Sequence, residues 1–556
     1  MGFYISPIID VNEIDLSTTV PAAATTIAAT VLRNTYKGPE RKRTLITDID
    51  TLIDTFGEPT DVAACYEDIL SAMGYLKYGN MLYCTRNMPT SASFAGTEAP
   101  SGSESTFVPY EVTVSSDTLW FIANSRGEWG NSIRLAIADY STYNAIASGG
   151  HSDWDTYSAL SSIDSSLADD KSLLIVVQSC AQNKDTSVDS NWETVEYWNV
   201  STDPSAVDDE GANRFIESAI NNSSSYIRVA MLAAQKSLAI TLSTSEWQQF
   251  GGGISGNDDD ISEGNIQLDF DLYANSEQID VNMFIDSGKS TTIKSYIASI
   301  CKDTRKDCMA ILDCLKADVV NNPGSEATCL RTYSLETLNI NNSYAALYGN
   351  WLNVYDKWNG KYRWIPASGH VAGIYANTDY VADPWFAPAG LNRAILTNVR
   401  KLAWNPTEGE RNILYKAKIN PIVSFSGQGK VIWGQKTQLS KSSAFDRVNV
   451  RRLFIVLEKS ISTAARYFLF DPNDEVTRAQ LVNMIDPFLR DTQARRGVYE
   501  YLIVCDTTNN TTERIDRNEL WADIYIKPTR AAEFIVLNFI ATKTGASFAE
   551  IQSGAA

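Results

Sequence analysis

Two turn-forming stretches constrain this chain more than any other feature. Residues 90–102 are rich in Thr, Ser, Ala, Gly and Pro, and residues 251–256 read Gly251, Gly252, Gly253, Ile254, Ser255, Gly256. Glycine and proline at this density do not continue a helix or a central strand, so the residues between the two stretches must form a body of their own. The rest of the chain has room for more, since 556 residues correspond to roughly three to five domains of ~100–200 residues. Domains of that size bury a core without metals or disulfides. A hydrophobic content of 44% with 21% charged residues is globular, which excludes disordered and collagen-like classes.

Residues 1–20 read as an extended arm, because Phe3, Ile5, Ile8 and Ile9 lie among Pro7, Asp10, Asn12 and Asp15 without a helical period. Residues 21–90 read as an αβ segment. It has a short strand at Leu45 and Ile46, a helix over 61–78 with Val62, Cys65, Ile69, Ala72 and Met73 on one face, and a strand over 81–84. Within 91–250, strand patterns at 108–114, 132–138 and 173–177 alternate with polar connections at 161–168 and 185–191. That is the pattern of an acidic, β-rich, surface-exposed module between flexible boundaries.

Residues 251–400 give strand, helix and strand at 281–285, 291–301 and 308–312, an α/β layer. Residues 401–530 carry two helical faces. One spans 451–468, with Leu453, Val456, Leu457, Ile461, Ala464, Ala465 and Phe468. The other spans 475–496, with Leu481, Met484, Ile485, Phe488 and Leu489, and a kink is expected at Pro487. Period-two strands follow at 499–505 and 520–526, so this part is expected to be two helices packed on a small sheet, α+β. The final segment, 531–556, contains a β-prone run of Phe534, Ile535, Val536, Leu537, Phe539 and Ile540 broken only by Asn538.

Charge is divided unevenly. From Leu391 onward there are 23 Lys and Arg against 17 Asp and Glu, whereas the preceding 390 residues hold 24 basic and 50 acidic residues. An acidic body with a mildly basic C-terminal third offers two surfaces to two neighbours, or simply a solvated acidic exterior. A net charge of −20 argues against wrapping nucleic acid, whose phosphates demand clustered Lys and Arg. The longest apolar stretch, 531–541, includes Glu533 and Asn538 and is shorter than the ~20 residues of a membrane span, so none is expected. The opening residues Met1-Gly2-Phe3-Tyr4, without an early Lys or Arg, are not expected to be a secretory signal.

Raw material for catalysis is sparse. Eight cysteines without a CxxC pair read as free thiols, and His151 and His370 are the only histidines. Ser287-Gly288-Lys289-Ser290 has the look of the end of a phosphate loop. The glycine that would let the backbone curl around a phosphate is absent, because that position is Met283. Gly427-Gln428-Gly429 lacks the third glycine of a dinucleotide fingerprint. Asp258, Asp259, Asp260 and Glu263 could hold a divalent cation, but such runs are more often solvated turns. No nucleophile has an assignable base.

Four groups of strings carry a resemblance. The first is Tyr36-Lys37-Gly38-Pro39, Leu45-Ile46-Thr47 and Phe56-Gly57. The second is Gly252-Gly253, Leu272-Tyr273-Ala274-Asn275, Ile279-Asp280-Val281-Asn282 and Arg305-Lys306-Asp307-Cys308. The third is Tyr344 to Tyr348, Pro366 to Ala376 and Trp385 to Gly390. The fourth is Ile419-Asn420-Pro421-Ile422, Val431-Ile432-Trp433-Gly434, Asn449 to Leu453 and Phe470-Asp471-Pro472-Asn473. Their order over 21–90 and 250–545 resembles the contractile tail sheath proteins of bacteriophages and related injection machines. Residues 91–250 lie outside the resemblance, and the chain lacks the Pro-Gly-Val opening many relatives show.

The resemblance implies an α+β multi-domain fold, with an α/β and α+β sheath core, an inserted β-rich outer module and extended terminal arms. It implies a subunit that stacks as hexameric rings around an inner tail tube and contracts to drive the tube through the host envelope. The implied partners are further copies of itself, the inner tail tube protein, and baseplate and tail terminator proteins. No direct nucleic acid contact, membrane insertion, metal, cofactor or catalysis is implied. The implied location is the virion tail, with assembly in the bacterial cytoplasm. Strand linkage between subunits falls on Phe3, Ile5, Ile8, Leu502, Val504, Ile524, Ile526, Phe534, Val536 and Phe539, and the tube-facing role on Arg490, Arg495 and Arg496. For those arginines an ordinary solvated helix end, favoured by the helix dipole, is the alternative. Two other classes stay open: a different virion protein such as a capsid or adhesin subunit, and a cell-surface hydrolase using the tryptophan-rich stretch from Trp351 to Trp364.

Overall fold

Strand β1 (Ile27–Arg33) reads IAATVLR with no polar alternation, as a strand covered on both faces must. It lies at the heart of the computed structural model, which describes residues 26–96, 119–138, 170–208, 210–231, 236–237 and 247–537. The candidate residues Phe3, Ile5, Ile8 and Phe539, the strand expected at 108–114 and the connection at 161–168 lie outside the described residues. The chain divides into two compact units, one over Val20–Leu469 and one that takes in Phe470–Ala556 together with Met1–Thr19.

In the larger unit β1 is followed by β2 (Thr44–Ile46), α1 (Ile49–Phe56), α2 (Ala63–Leu76) and β3 (Met81–Asn87). Next come β4 (Leu119–Ala123), β5 (Ile133–Ala138), β6 (Ser172–Cys180), β7 (Trp192–Ser201), α3 (Ile216–Ser223), β8 (Ile227–Met231) and β9 (Gln248–Gln249). The chain continues through α4 (Glu263–Asp271), β10 (Met283–Ile285), α5 (Thr291–Ser299), β11 (Met309–Asp313) and β12 (Ala345–Tyr348). Then follow β13 (Trp351–Asp356), β14 (Lys361–Pro366), α6 (Ser368–Val381), β15 (Ile395–Leu396), β16 (Val399–Leu402) and α7 (Glu408–Lys416). The unit ends with β17 (Ile419–Asn420), β18 (Ile422–Phe425), β19 (Gly429–Ile432) and α8 (Val448–Ala465).

The segments 21–90 and 251–420 share one seven-stranded sheet, in the order β17-β12-β11-β10-β1-β3-β2. Ala28 pairs with Met283 in parallel register, and only the β2–β3 pair is antiparallel. Helices cover both faces. Leu32 and Met283 pack with Ile69 and Tyr75 of α2 and with Val371 and Ile374 of α6. Ala29, Val31 and Phe284 pack with Ile266 and Phe270 of α4 and Ile297 of α5. Helices α2 and α6 touch backbone to backbone, since a Cβ on Gly369 would lie 1.9 Å from the Ser71 carbonyl oxygen.

Residues 91–250 are therefore an excursion from this sheet between β3 and α4. Its described part is β-rich: β4 pairs with β8, and β7-β6-β5-β9 form a four-stranded antiparallel sheet. Phe121, Trp129, Leu135, Ile175 and Ile220 sit in a core of their own. The boundaries expected to be flexible are instead bonded to each other where described. Gly96 and Gly251 exchange N–H···O bonds of 3.0 and 2.9 Å, and Ser93 N donates to Ile254 O at 2.9 Å. Glycine serves close approach here, because a Cβ on Gly253 would meet the Gly127 carbonyl oxygen at 2.6 Å. Arg126 adds an ion pair with Glu40 of the body, its Nε and Nη2 both donating to Glu40 Oε2 at 2.9 and 2.7 Å.

The smaller unit holds α9 (Glu475–Ala494), β20 (Val498–Val504) and β21 (Asp523–Pro528). The two helical faces expected to pack on one small sheet are divided. Val448 and Ile455 of α8 are buried in the larger unit's core with Ile422 and Val431, and α9 alone packs on β20. An apolar helical stripe states that a face is covered, not what covers it. Helix α9 runs through Pro487.

Candidate inter-subunit surfaces

The sequence places its possible chemistry where the sheet's own charges lie. Ser287-Gly288-Lys289-Ser290 follows β10 at the carboxyl end of the parallel strands, the position where open α/β sheets commonly bind ligands. Here the position is filled from within. Arg33 donates from its backbone N, Nε and Nη2 to Asp68, each at 2.8 Å. Lys289 Nζ donates to Asp286 O at 2.8 Å and lies 3.6 Å from Asp68 Oδ1. Lys294 Nζ is 3.6 Å from Asp286 Oδ2. Asp313 accepts from Ser368 N at 2.7 Å and Gly288 N at 3.1 Å.

Burial pulls the Lys289 ammonium down to about 8 against the attraction of Asp68. Burial, then the neighbouring Asp286 charge, lifts the Asp313 carboxyl to about 7. Lys289 is 1% exposed and committed to these carboxylates, so it is a structural ion and not a phosphate ligand. Asp258 is likewise spent: it accepts from Asn34 Nδ2 at 3.1 Å and from Ala64 N at 3.0 Å, capping α2 from a distance. Trp351 is 2% exposed with its Nε1 donating to Cys314 O at 3.0 Å, which makes it core. All eight cysteines are free thiols. Among the described residues no helix is long and apolar enough to cross a membrane.

The smaller unit is built around α9. Asp474 caps α9 by accepting from Thr477 N at 2.8 Å, and Leu481, Met484, Ile485 and Leu489 face inward at helical spacing. The helix closes in a Schellman motif, with Gly497 N donating to Thr492 O and Arg496 N to Gln493 O. Arg496 holds the left-handed position at φ 66°. Of the three candidate arginines, Arg490 pairs with Asp486 one turn earlier, Arg495 lies 3.5 Å from Asp491, and the Arg496 carbonyl accepts from Thr529 Oγ1. All three side chains reach solvent from the last turn of α9 and its cap.

Strands β20 and β21 pair antiparallel as a two-stranded ribbon, with Leu502 opposite Tyr525 and Ile503 opposite Ile524. Tyr501 OH donates to Asp486 Oδ1 at 2.8 Å, which ties its face of the ribbon to α9. Ile524 and Ile526 are half-buried on that face, whereas Leu502 lies on the opposite one, 58% exposed. Among the described residues no strand pairs with the outer edge of either strand. Beyond Pro528 the chain makes no strand through residue 537, and Phe534, Ile535, Val536 and Leu537 are 85%, 76%, 80% and 71% exposed. Exposed β-prone sequence beside open strand edges is a template for pairing with another chain.

Residues 265–438 match the phage tail sheath protein central domain, and residues 440–542 match the phage tail sheath C-terminal domain. The tail sheath protein of Vibrio phage KVP40 is 37% identical over 378 residues, 65% of this chain and 55% of that protein. The tail sheath protein of Enterobacteria phage T4 is 39% identical over 315 residues, 54% of this chain and 48% of that protein. The match thus spans about half the length of these relatives. Among solved structures, the contracted helical sheath of the anti-feeding prophage superposes with a TM-score of 0.53 at 15% identity, covering 97% of this chain and 100% of that one. The sheath tail protein of Desulfitobacterium hafniense gives 0.52 at 12% identity, covering 90% and 93%. These likenesses are of fold.

Proposed function

We propose, for a chain whose residues 265–542 carry the two domains of the phage tail sheath family, that it is the structural subunit of a contractile tail sheath. Copies stack as hexameric rings around an inner tail tube, and the stack shortens to drive the tube through the host envelope. Baseplate and tail terminator proteins bound the stack at its two ends, and the subunit works in the virion tail after assembly in the bacterial cytoplasm. The observation that carries this reading is the pair of sheath domains matched in order along the chain.

The division of labour follows from the physics of the two units. The larger one, with the buried charges at the end of its sheet paired and that sheet covered, moves as a near-rigid body. The smaller one supplies linkage. Phe534 and Val536, with Phe539 beyond them, enter a neighbour's sheet as a strand, and Phe3, Ile5 and Ile8 do the same from the other end of the chain. Leu502, Val504, Ile524 and Ile526 belong to the receiving ribbon. A head-to-tail contact of this kind, which does not close on itself, grows into a filament. Arg490, Arg495 and Arg496 face the tube. The subunit performs no catalysis and needs no cofactor, since contraction is repacking of an assembly held away from its lowest state. Electron microscopy of the concentrated protein tests the reading: striated tubes are expected, whereas shells, fibres or dispersed particles would refute it.

A further inference from the structure

The outer face of the three-stranded sheet β14-β13-β16 collects aromatic rings and exposed cations. Its inner face, with Leu352, Val354, Ile365, Val399 and Leu402, is buried in the core. On the outer face Tyr355 and Tyr362 stand opposite each other, with ring centroids 5.1 Å apart and exposures of 51% and 52%. A bulge between Asn353 and Val354 shifts the pairing with β16, and Arg400 and Lys401 are consecutive exposed residues there. The Arg400 guanidinium lies 4.1 Å over the Tyr362 ring, and Lys401 Nζ lies 5.2 Å over Trp364. Lys357, in the turn that follows β13, lies 4.4 Å over Trp358. Lys361 and Arg363 are paired to Asp61, but among the described residues Arg400, Lys401 and Lys357 have no carboxylate partner.

A guanidinium held over a tyrosine ring is fixed in place, and with no carboxylate partner of its own it can take one bidentately. We infer that this face docks an acidic segment of a second copy of this chain, an inference that rests on the self-assembly proposed above. Charge complementarity selects the occupant. The chain carries −20 overall, with 50 acidic against 24 basic residues before Leu391, so it repels a polynucleotide and supplies carboxylates itself. The segment offered is the acidic turn between β7 and α3. There Asp208 Oδ1 accepts from Glu210 N at 3.0 Å and Ala212 N at 2.7 Å, and Val207 bridges to Asn213. Asp208 and Glu210 are exposed without an ion-pair partner among the described residues, and Val207 is 58% exposed beside them.

Sedimentation velocity of the full chain across a salt series provides the test. R400E/K401E should weaken self-association roughly tenfold or more at low salt, from the cost of opposing like charges. R400Q/K401Q should weaken it less, and circular dichroism should show both variants folded. Adding D208K/E210K to R400E/K401E in the same chain should restore association. Wild-type association at every salt by R400E/K401E would overturn the inference, and so would failure of the combined variant to recover. A labelled single-stranded oligonucleotide held by the wild type and released by R400E/K401E, with self-association unchanged, would overturn it in favour of nucleic acid. These outcomes leave the sheath reading standing, whereas a wild-type chain that associates at no salt refutes both.

Discussion

The seven-stranded sheet and the β20–β21 ribbon are made from similar apolar, β-prone sequence and put it to opposite uses. Every residue of β10 and β11 is buried, and helices cover both faces. In the ribbon Tyr499, Leu502 and Tyr525 are 64%, 58% and 60% exposed, and both outer edges are unpaired among the described residues. A two-stranded ribbon is marginal on its own, and α9 covers only one of its faces. The sheet is completed within the chain, while the ribbon's outer edges stay open among the described residues.

Breaking the self-contained side should cost most. Asp68→Asn leaves the Arg33 guanidinium buried without its counter-charge and should destabilise the larger unit by about 3–5 kcal/mol, read from denaturant midpoints. A pH series sharpens the same region. Burial, then Lys77, holds the His370 imidazole down at about 4, so as pH falls the unfolded chain takes the proton first. The stability His370 contributes is present above ~6.5 and is lost as pH falls toward 4, at about 1.4 kcal/mol per pH unit. Asp313, raised to about 7, works the other way, losing stability as pH rises from the ordinary carboxylate range toward 7. The difference between wild type and His370→Leu isolates the first effect, and the variant should lack that loss.

In the smaller unit the effects on folding should be small. Arg496→Gly removes a Cβ from a left-handed helix cap and should stabilise the smaller unit by about 1 kcal/mol in thermal melts. Leu502→Ser with Tyr525→Ser should shift stability by no more than about 0.5 kcal/mol, yet reduce tube formation in micrographs. A large loss of stability there would mean that the ribbon's outer face packs within its own chain.

Sequence pattern located elements better than it located their partners. The strand, helix and strand expected at 281–312 are β10, α5 and β11, and the period-two stretches after 498 are β20 and β21. That β1 pairs with β10 was not legible, because 255 residues separate Ala28 from Met283 and parallel pairing leaves no local mark. Glycines at 251–256 read as flexibility, yet Gly251 pairs with Gly96 and Gly253 and Gly256 have no room for a Cβ, a distinction that depends on what lies opposite. Lys289 stood out for its neighbours in sequence, but its partners are Asp286, which follows the same strand β10, and Asp68, which lies far away in sequence on α2. The Tyr355, Tyr362 and Arg400 face was missed because a bulge and a cross-strand register, not a motif, gather it.

On the proposed function the smaller unit is folded but incomplete without a second copy. Removing residues 531–556 tests it most directly, with circular dichroism for the fold and sedimentation with electron microscopy for assembly. A soluble chain of native secondary structure that no longer forms tubes is expected. A truncated chain that unfolds or precipitates would contradict it, as would one that still assembles like the full-length protein.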